Sequence, residues 1–341
     1  MAHYAKILLK LFIGLALAVA FLWASFRQVS LSELQRSIEQ VKPFWLIVST
    51  IILVLLNLVR ARRWQILIVP VSKEISIWRG WMAIMIGYAG NNLLPRAGEF
   101  VRVLALKRGK DLSVSSLLAT VVVERVVDLL ALVILLAGVL VAFQKEISGL
   151  FPWIEDVGLA AFFASLLLLV VFAFLSVYGD RALTRLDRGL GVISRSLATR
   201  VVGTLRAFSR GMGAVKTRTG YVEITVTTVI LYAGYVLTVY LPFLSFDFDS
   251  RYGLGFSAAL VVTVMATIGI ILPTPGGAGT YHYFCSQTLH HLYGVSLPEA
   301  LAFAAVVHGI AYFTFILIGG PGLLVLLIAP NRPPTEADTN S

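Results

Sequence analysis

Residues 90–102 read Gly-Asn-Asn-Leu-Leu-Pro-Arg-Ala-Gly-Glu-Phe-Val-Arg and follow directly on an apolar segment. That segment is about fifteen residues long, whereas a helix needs roughly 20 to cross a bilayer. Amides, a proline and charges are costly at this depth unless they lie inside protein or against a watery cavity. A second break, residues 273–280, reads Pro-Thr-Pro-Gly-Gly-Ala-Gly-Thr. Two interrupted apolar segments in the two halves of a chain are typical of the central site of a membrane transporter.

The composition excludes an ordinary soluble protein. The chain of 341 residues is 58% hydrophobic and 13% charged, whereas soluble proteins carry about 25% charged residues. The net charge of +10 lies mainly in short loops beside apolar segments, so it indicates membrane topology and not nucleic-acid binding. The single cysteine, Cys285, excludes an intrachain disulfide.

Six segments are predicted to be full transmembrane helices because they are long and apolar. They are Ile7–Phe26, Phe44–Leu58, Val114–Phe143, Leu159–Tyr178, Tyr221–Leu244 and Leu301–Ala329. The second of these is short, but it reaches the interface if Arg60 snorkels to the headgroups. The first continues past the small residues at which a signal peptidase would cut, so it is predicted to be retained.

The charges of the loops predict the orientation of the chain. The loop Asp180–Arg218 holds nine Lys and Arg against two Asp, a net +7, whereas residues 143–159 sum to −2. Because basic loops lie on the cytoplasmic side, Asp180–Arg218 is predicted to be cytoplasmic. The same rule places there the stretches Arg60–Gly80, with a net charge of +4, and Arg96–Asp111, with a net charge of +3. The N-terminus is therefore predicted to be cytoplasmic. The segment Trp81–Leu94 must then enter and leave the membrane from the same side.

The segment around the second break is either one full span, Gly255–Leu272, or half of a second hairpin. Tyr281–Tyr293 is too short to span, and two cytoplasmic termini require six spans with two hairpins. The predicted fold class is therefore an all-α multi-pass membrane protein with about six transmembrane helices and two re-entrant hairpins. The second hairpin would enter from the outside, so that the two form an inverted pair.

The predicted domain organisation is a single transmembrane domain over residues 1–329. Within it, residues 180–218 carry apolar side chains at spacings of three and four among arginines. This pattern predicts an amphipathic helix, or two helices, lying either on anionic headgroups or on neighbouring protein. Residues 330–341 are polar and are predicted to be a disordered cytoplasmic tail.

Three charges interrupt the third of these spans: Glu124, Arg125 and Asp128. Each costs at least about 2.5–3.5 kcal/mol at the centre of a transmembrane helix. One interpretation is a self-neutralising cluster that fixes helix packing, or a helix that projects into the cytoplasm. The other is a functional site in which Arg125 pairs with a substrate anion. The two carboxylates would then hold Arg125 in place, or pair with Arg96 and Arg102.

Both breaks carry groups suited to an anionic headgroup. The forks of Arg96, Arg102 and Arg125 match phosphate oxygens, and the glycines of the second break expose amides to an anion. Glu99 either forms an ion pair with Arg102 or accepts a hydrogen bond at a helix N-terminus. The predicted substrate-binding residues are Asn91, Asn92, Arg96, Glu99, Arg102, Glu124, Arg125, Asp128, Gly276, Gly277, Gly279, Tyr281 and His282.

No catalytic residue, metal or cofactor is predicted. The histidines at 282, 290 and 291 lack acidic or thiolate partners at metal-ligand spacing. His308 is interpreted as a packed or hydrogen-bonded residue. The sequence contains no Ser-His-Asp order, P-loop or dinucleotide fingerprint.

The same residues resemble a known family. Three stretches look like the motifs of the lysylphosphatidylglycerol synthase transmembrane region, or UPF0104, family. They are residues 92–99 (Asn-Leu-Leu-Pro-Arg-Ala-Gly-Glu) with Arg102, then Glu124-Arg125 with Asp128, then Pro273-x-Pro275-Gly276-Gly277-x-Gly279. The resemblance covers nearly the whole chain. It implies a lipid-translocating domain that occurs alone or fused to an aminoacyl-lipid synthase or a glycosyltransferase. Many members carry an acidic residue where this chain has His282, and its loss removes a partner for a cationic aminoacyl group.

The sequence therefore predicts a transporter in a bacterial or archaeal cell membrane that moves a phospholipid or a polyprenyl-linked lipid between leaflets. An alternative is a membrane-embedded enzyme that acts on a lipid phosphate with Glu99 or Glu124 as general base. No synthase domain is recognised after Ala329, and no nucleophile is evident. A third alternative is a non-catalytic subunit that presents lipid to a separate lipid-modifying enzyme.

Overall fold

The fold was analysed in a computed structural model, which describes residues 2–195, 202–203 and 218–328. That part of the chain is almost wholly helical and contains no β-strand. A short 3₁₀ turn, Pro275–Gly277, interrupts the helices near the second break. The α-helices are α1 (Ala2–Phe26), α2 (Leu31–Glu39), α3 (Pro43–Ile68), α4 (Ile77–Leu93), α5 (Gly98–Lys107), α6 (Val114–Leu150), α7 (Ile154–Ile193), α8 (Arg218–Ser245), α9 (Phe248–Tyr252), α10 (Phe256–Ile271), α11 (Thr280–Tyr293) and α12 (Leu297–Ile328).

Four described helices are long and apolar enough to cross a membrane: α3, the first thirty residues of α6, α8 and α12. A fifth candidate is α1 together with α2, which are bent by 80° at the break between them. The prediction of an all-α multi-pass membrane protein is therefore confirmed. The count of six spans stays a prediction, because the predicted span Leu159–Tyr178 lies within α7, which is not among these candidates.

Two helical hairpins lie where the sequence is broken. Helices α4 and α5 form the first hairpin, and α10 and α11 form the second. Glycines allow the arms to cross closely: a Cβ on Gly98 would lie 2.1 Å from the Gly87 carbonyl oxygen, and one on Gly269 would lie 2.7 Å from the Thr280 carbonyl oxygen. Because no side chain fits in these gaps, backbone packs directly on backbone.

The tips of the two hairpins meet. The Arg96 guanidinium at the first tip donates to the Ile271 carbonyl oxygen at 2.5 Å. Helix α12 packs along α4 and α11 and holds the first tip through two hydrogen bonds of 3.0 Å between Asn92 and Tyr312. Helix α1 covers both tips, because a Cβ on Gly14 would contact both Pro95 and Pro273.

The end of α3 differs from the prediction. The sequence placed Arg60 at the interface and began a cytoplasmic loop there, but α3 continues unbroken to Ile68, and both Arg60 and Arg63 are buried. The prediction was wrong because carboxylates on α6 pair with these arginines, which makes basic residues tolerable inside the helix packing. The true loop, residues 69–76, carries only Lys73 and Glu74 as charges.

Two further loops are shorter than predicted. Helix α6 passes through a kink at Phe143 (φ −135°, ψ 32°) and ends at Leu150. Helix α7 runs without interruption through residues 180–193, so the predicted amphipathic segment begins as a continuation of this helix. The rest of that segment lies largely outside the described residues, as does the predicted tail at 330–341.

Candidate functional site

Glu124 of α6 is the centre of a buried charge cluster. Its side chain is 0% exposed. Its Oε1 lies 2.9 Å from Arg60 Nη2 and 2.7 Å from Arg125 Nη2, and its Oε2 lies 2.8 Å from Arg102 Nη2. Three guanidinium groups from α3, α5 and α6 therefore converge on one carboxylate, and the cluster ties the first hairpin to both long helices.

Asp128, one helical turn further along α6, extends the cluster. Its Oδ1 accepts from Arg63 Nη2 at 2.5 Å, and its Oδ2 lies 2.9 Å from Arg125 Nη2. Arg60 also donates to the Tyr88 hydroxyl at 2.5 Å. Four arginines thus face two carboxylates, so the cluster carries two more positive than negative charges.

The arginines keep unused hydrogen-bond donors. The Nε atoms of Arg63, Arg102 and Arg125 are buried and have no hydrogen-bond partner in the structure. Arg125 is the most accessible of these, with 39% of its side chain exposed. Buried donors without partners are costly, and the surplus positive charge of the cluster favours an anion beside it.

A cavity of about 780 Å³ lies where the hairpin tips meet the charge cluster. One part of its wall is polar and holds guanidinium, carboxylate and amide groups. The rest is mainly apolar and comes from α3, α6, α8 and α10; it includes Leu46, Leu53, Leu129, Leu132, Val239 and Ile270. The cavity is therefore amphipathic, and it is large enough for a small polar headgroup.

Ten of the thirteen predicted site residues line this cavity. They are Asn91, Asn92, Arg96, Glu99, Arg102, Arg125, Asp128, Gly276, Gly277 and Tyr281. The other three lie elsewhere. Glu124 is sealed behind the arginines, a Cβ on Gly279 would lie 2.4 Å from the Ala18 carbonyl oxygen of α1, and the His282 ring lies beside Phe26 with its Nδ1 accepting from Gly279 N–H.

The pairing within the site also differs in part from the predicted alternatives. Arg102 contacts Glu124 as one alternative proposed, whereas Arg96 contacts only a backbone carbonyl among the described residues. Glu99 makes no ion pair with Arg102 in the described structure, and its buried Oε2 has no hydrogen-bond partner there. An acceptor without a partner therefore faces the same cavity as the surplus arginines.

Sequence reasoning missed several residues of the site. Arg60 and Arg63 lie three apart on one helix face, a spacing that indicates a shared partner. His308 was interpreted as packed or hydrogen-bonded, but it also lines the cavity, and its Nε2 lies 2.9 Å from the Gly276 carbonyl oxygen. Tyr88 and Tyr312 line the cavity as well. Among the described residues, no group of three or more His, Cys, Asp or Glu could hold a metal ion.

Comparisons with known proteins find relatives among membrane proteins. The sequence model of the family described as "Lysylphosphatidylglycerol synthase TM region" matches residues 11–319. A UPF0104 membrane protein of Methanothermobacter thermautotrophicus is 26% identical over 89% of this chain and 91% of its own length. A second UPF0104 membrane protein, from Methanocaldococcus jannaschii, is 26% identical over 67% of this chain and 90% of its own length.

A further relative is "Glycosyltransferase AglD" of Haloferax volcanii, which is 27% identical over 72% of this chain. The match covers only 43% of AglD, so the printed activity describes a protein more than twice as long as the shared part. No solved structure matches.

Proposed function

This chain belongs to the lysylphosphatidylglycerol synthase TM region family of integral membrane proteins, and we propose that it moves a lipid between the leaflets of its membrane. The substrate would be a phospholipid or another anionic or zwitterionic lipid, such as a polyprenyl-linked lipid. Its headgroup would enter the cavity between the two hairpins while its acyl chains stay in the bilayer. The chain itself would be a transporter that needs no cofactor.

The observation that carries this proposal is the amphipathic cavity. Surplus guanidinium groups and the polar hairpin tips form one part of its wall, and leucines of α3 and α6 form another. A headgroup bound to the arginines would keep its charge in a polar surrounding, while the glycerol and the first methylene groups would lie along the apolar wall. This removes the main barrier to lipid movement, which is the transfer of a charged headgroup through hydrocarbon.

The arrangement of the hairpins supports a path that can be reached from both faces. The open end of the first hairpin, where α4 begins and α5 ends, is flanked by the loops that contain Lys73 and Lys110. The open end of the second hairpin, where α10 begins after Gly255, follows α9. The contacts Arg62–Glu223 and Lys42–Asp247 mark the two opposite ends of the antiparallel pair α3 and α8. The hairpins thus approach each other from opposite ends, as in transporters built from inverted repeats.

We propose that the N-terminus, Lys73 and residues 180–218 are cytoplasmic, because these stretches of the sequence carry the excess of basic residues. Cysteine labelling tests the orientation after Cys285 is replaced by alanine. We expect Ser250→Cys, at an exposed position of α9, to react with a membrane-impermeant maleimide in intact cells. Lys73→Cys should react only after the cells are permeabilised. Labelling of Lys73→Cys in intact cells, with Ser250→Cys protected, would reverse the orientation.

The proposed transport is tested with purified protein in liposomes that contain a fluorescent phospholipid. We expect the protein to equilibrate the label between leaflets without changing the lipid chemically. Glu99→Gln should slow this movement about tenfold or more, because it removes a charged acceptor from the cavity wall. Glu223→Gln, a change to an exposed glutamate, is the matched control and should move lipid at the normal rate.

The same assay distinguishes the alternatives. The name of the AglD relative, a glycosyltransferase, favours a second candidate function, in which a domain of this family accompanies an enzymatic activity. In an enzyme, mass spectrometry of the liposome lipids would show a Glu99-dependent product. In a non-catalytic subunit that presents lipid to a separate enzyme, lipid would bind in the cavity but would not change leaflet. Either result would replace the transporter proposal.

A further inference from the structure

The charges around the cavity do not cancel, and this imbalance bears on the headgroup. Six described residues with ionic side chains line the wall: Arg60, Arg96, Arg102, Arg125, Glu99 and Asp128. Four of them are positive and two are negative. Behind the wall, Glu124 and Arg63 lie 3.6 Å apart and cancel. The described site therefore carries two positive charges that no protein carboxylate neutralises.

Uncompensated charge of this size is expensive inside a membrane protein. A single charge at the centre of a transmembrane helix costs at least about 2.5–3.5 kcal/mol. Arginine does not escape this cost by deprotonation, because its guanidinium group stays protonated in proteins. The surplus is therefore best neutralised by a bound anion with two negative charges.

Two arginines with unpartnered donors, Arg102 and Arg125, lie where such an anion would bind. Arg102 has only 5% of its side chain exposed, lines the cavity, and keeps an Nε–H without a partner. Arg125 lines the cavity as well, and its Nε is equally without a partner. Each guanidinium gives its Nη2 to Glu124 and its Nε is covered by protein, so a phosphoryl oxygen would approach the part of each guanidinium that lines the cavity.

We propose that the headgroup held in this cavity is a doubly charged phosphate, either a phosphomonoester or a diphosphate, and not the singly charged phosphodiester of ordinary phospholipids. A phosphomonoester carries about −1.5 to −2 charges at pH 7, since its second pKa is about 6. It also offers three terminal oxygens, whereas a phosphodiester offers two. This inference rests on the proposed function, because it specifies the lipid that the same cavity carries.

Two lipids with the same acyl chains provide the test. Dioleoyl phosphatidic acid is a monoester, and dioleoyl phosphatidylglycerol is the matching diester. Each is titrated into the detergent-solubilised protein at pH 8. We expect the monoester to bind at least about tenfold more tightly, which is the value of one additional charge-assisted hydrogen bond.

The pH dependence has a definite sign. The monoester loses one charge between pH 8 and pH 5, so its affinity should fall by about tenfold while that of the diester does not fall. The other titratable side chains on the cavity wall are Glu99, Asp128, His308, Tyr88, Tyr232, Tyr235, Tyr281 and Tyr312. Both lipids would meet these same side chains, so the ratio of the two affinities reports the charge of the lipid itself.

A substitution assigns the binding to the arginines. Arg125→Gln should remove most of the preference for the monoester and should fold, because Glu124 keeps Arg60 and Arg102 as partners. Lys107→Gln, at the end of α5 and outside the cavity, is the control and should keep the full preference. If Arg125→Gln keeps the wild-type preference, the phosphate does not bind at this cluster.

The remaining outcomes separate this inference from the proposed function. If both lipids bind equally at pH 8 and phosphatidylglycerol still changes leaflet in liposomes, the doubly charged headgroup is wrong and the transporter stands. If inorganic phosphate binds as tightly as phosphatidic acid, and neither lipid changes leaflet, the site serves a soluble anion and both proposals fail.

Discussion

We expect Glu124→Ala to lower the free energy of unfolding by about 3–5 kcal/mol, the cost of removing one partner from a buried ion pair. The methyl group of alanine would leave Arg60 and Arg102, two largely buried cations, facing each other without the carboxylate that separates them. In a domain whose total stability is about 5–15 kcal/mol, such a loss is large. We expect little folded protein in detergent and a strongly lowered unfolding temperature.

Glu223→Ala is the matched control for this prediction. Glu223 also pairs with an arginine of α3, Arg62 at 2.9 Å, but both side chains are substantially exposed. Exposed ion pairs contribute about 0–1 kcal/mol, so this variant should unfold close to the wild type. Equal unfolding temperatures for Glu124→Ala and the wild type would show that the charge cluster is not needed for the packing of α3, α5 and α6.

Arg125→Lys is expected to fold and to lose lipid movement by about 10–100-fold, the value of one charged hydrogen bond in the cavity. The Arg125 guanidinium contacts Glu124 and Asp128 through one nitrogen and also lines the cavity, with 39% of the side chain exposed. A lysine ammonium preserves the charge but is a single point that cannot contact both carboxylates and a ligand in one plane. The measurement is the liposome assay, with protein amounts matched by size-exclusion chromatography.

Arg62→Lys is the corresponding control on the protein surface, where 49% of the side chain is exposed. It makes the same chemical change outside the cavity and should leave the rate of lipid movement unaltered. Wild-type movement by a folded Arg125→Lys protein would mean that the charge alone is needed there and that the planar fork has no role.

The two hairpins are predictable from the sequence because their breaks contain residues that membrane helices tolerate poorly. Pro95 and Pro273 end helices, and the amides and glycines beside them need protein or water around them. The register of the crossing is not predictable in this way. The contact between Gly98 and Gly87 depends on the angle at which the two arms pack. This angle cannot be read from a single sequence.

The charge cluster is only half predictable. Glu124 and Asp128 are recognisable because they interrupt an otherwise apolar helix. Arg60 and Arg63 follow an apolar run, and this pattern is the same whether the arginines snorkel to headgroups or are buried. Their partners lie 64 and 65 residues further along the chain. Only the packing of α3 against α6 distinguishes the two cases.

The second break shows a similar limit. Tyr281 lines the cavity, whereas His282 packs towards α1. Successive residues of a helix point about 100° apart, so a motif alone does not determine which of two neighbours faces a site. His308 joins the cavity from α12 through the Gly276 carbonyl oxygen, a contact that depends entirely on the tertiary fold.

The central claim, that lipid headgroups pass through the cavity between the hairpins, is tested most directly by blocking that cavity. Ala311 of α12 lines it, and Ala311→Trp would fill part of its volume without changing any charge. Phe313, two residues further along, is 64% exposed on the surface of the helix, so Phe313→Trp is the control. We predict that Ala311→Trp stops the movement of labelled lipid in liposomes while Phe313→Trp leaves it unchanged. Wild-type movement by a correctly folded Ala311→Trp protein would contradict the account.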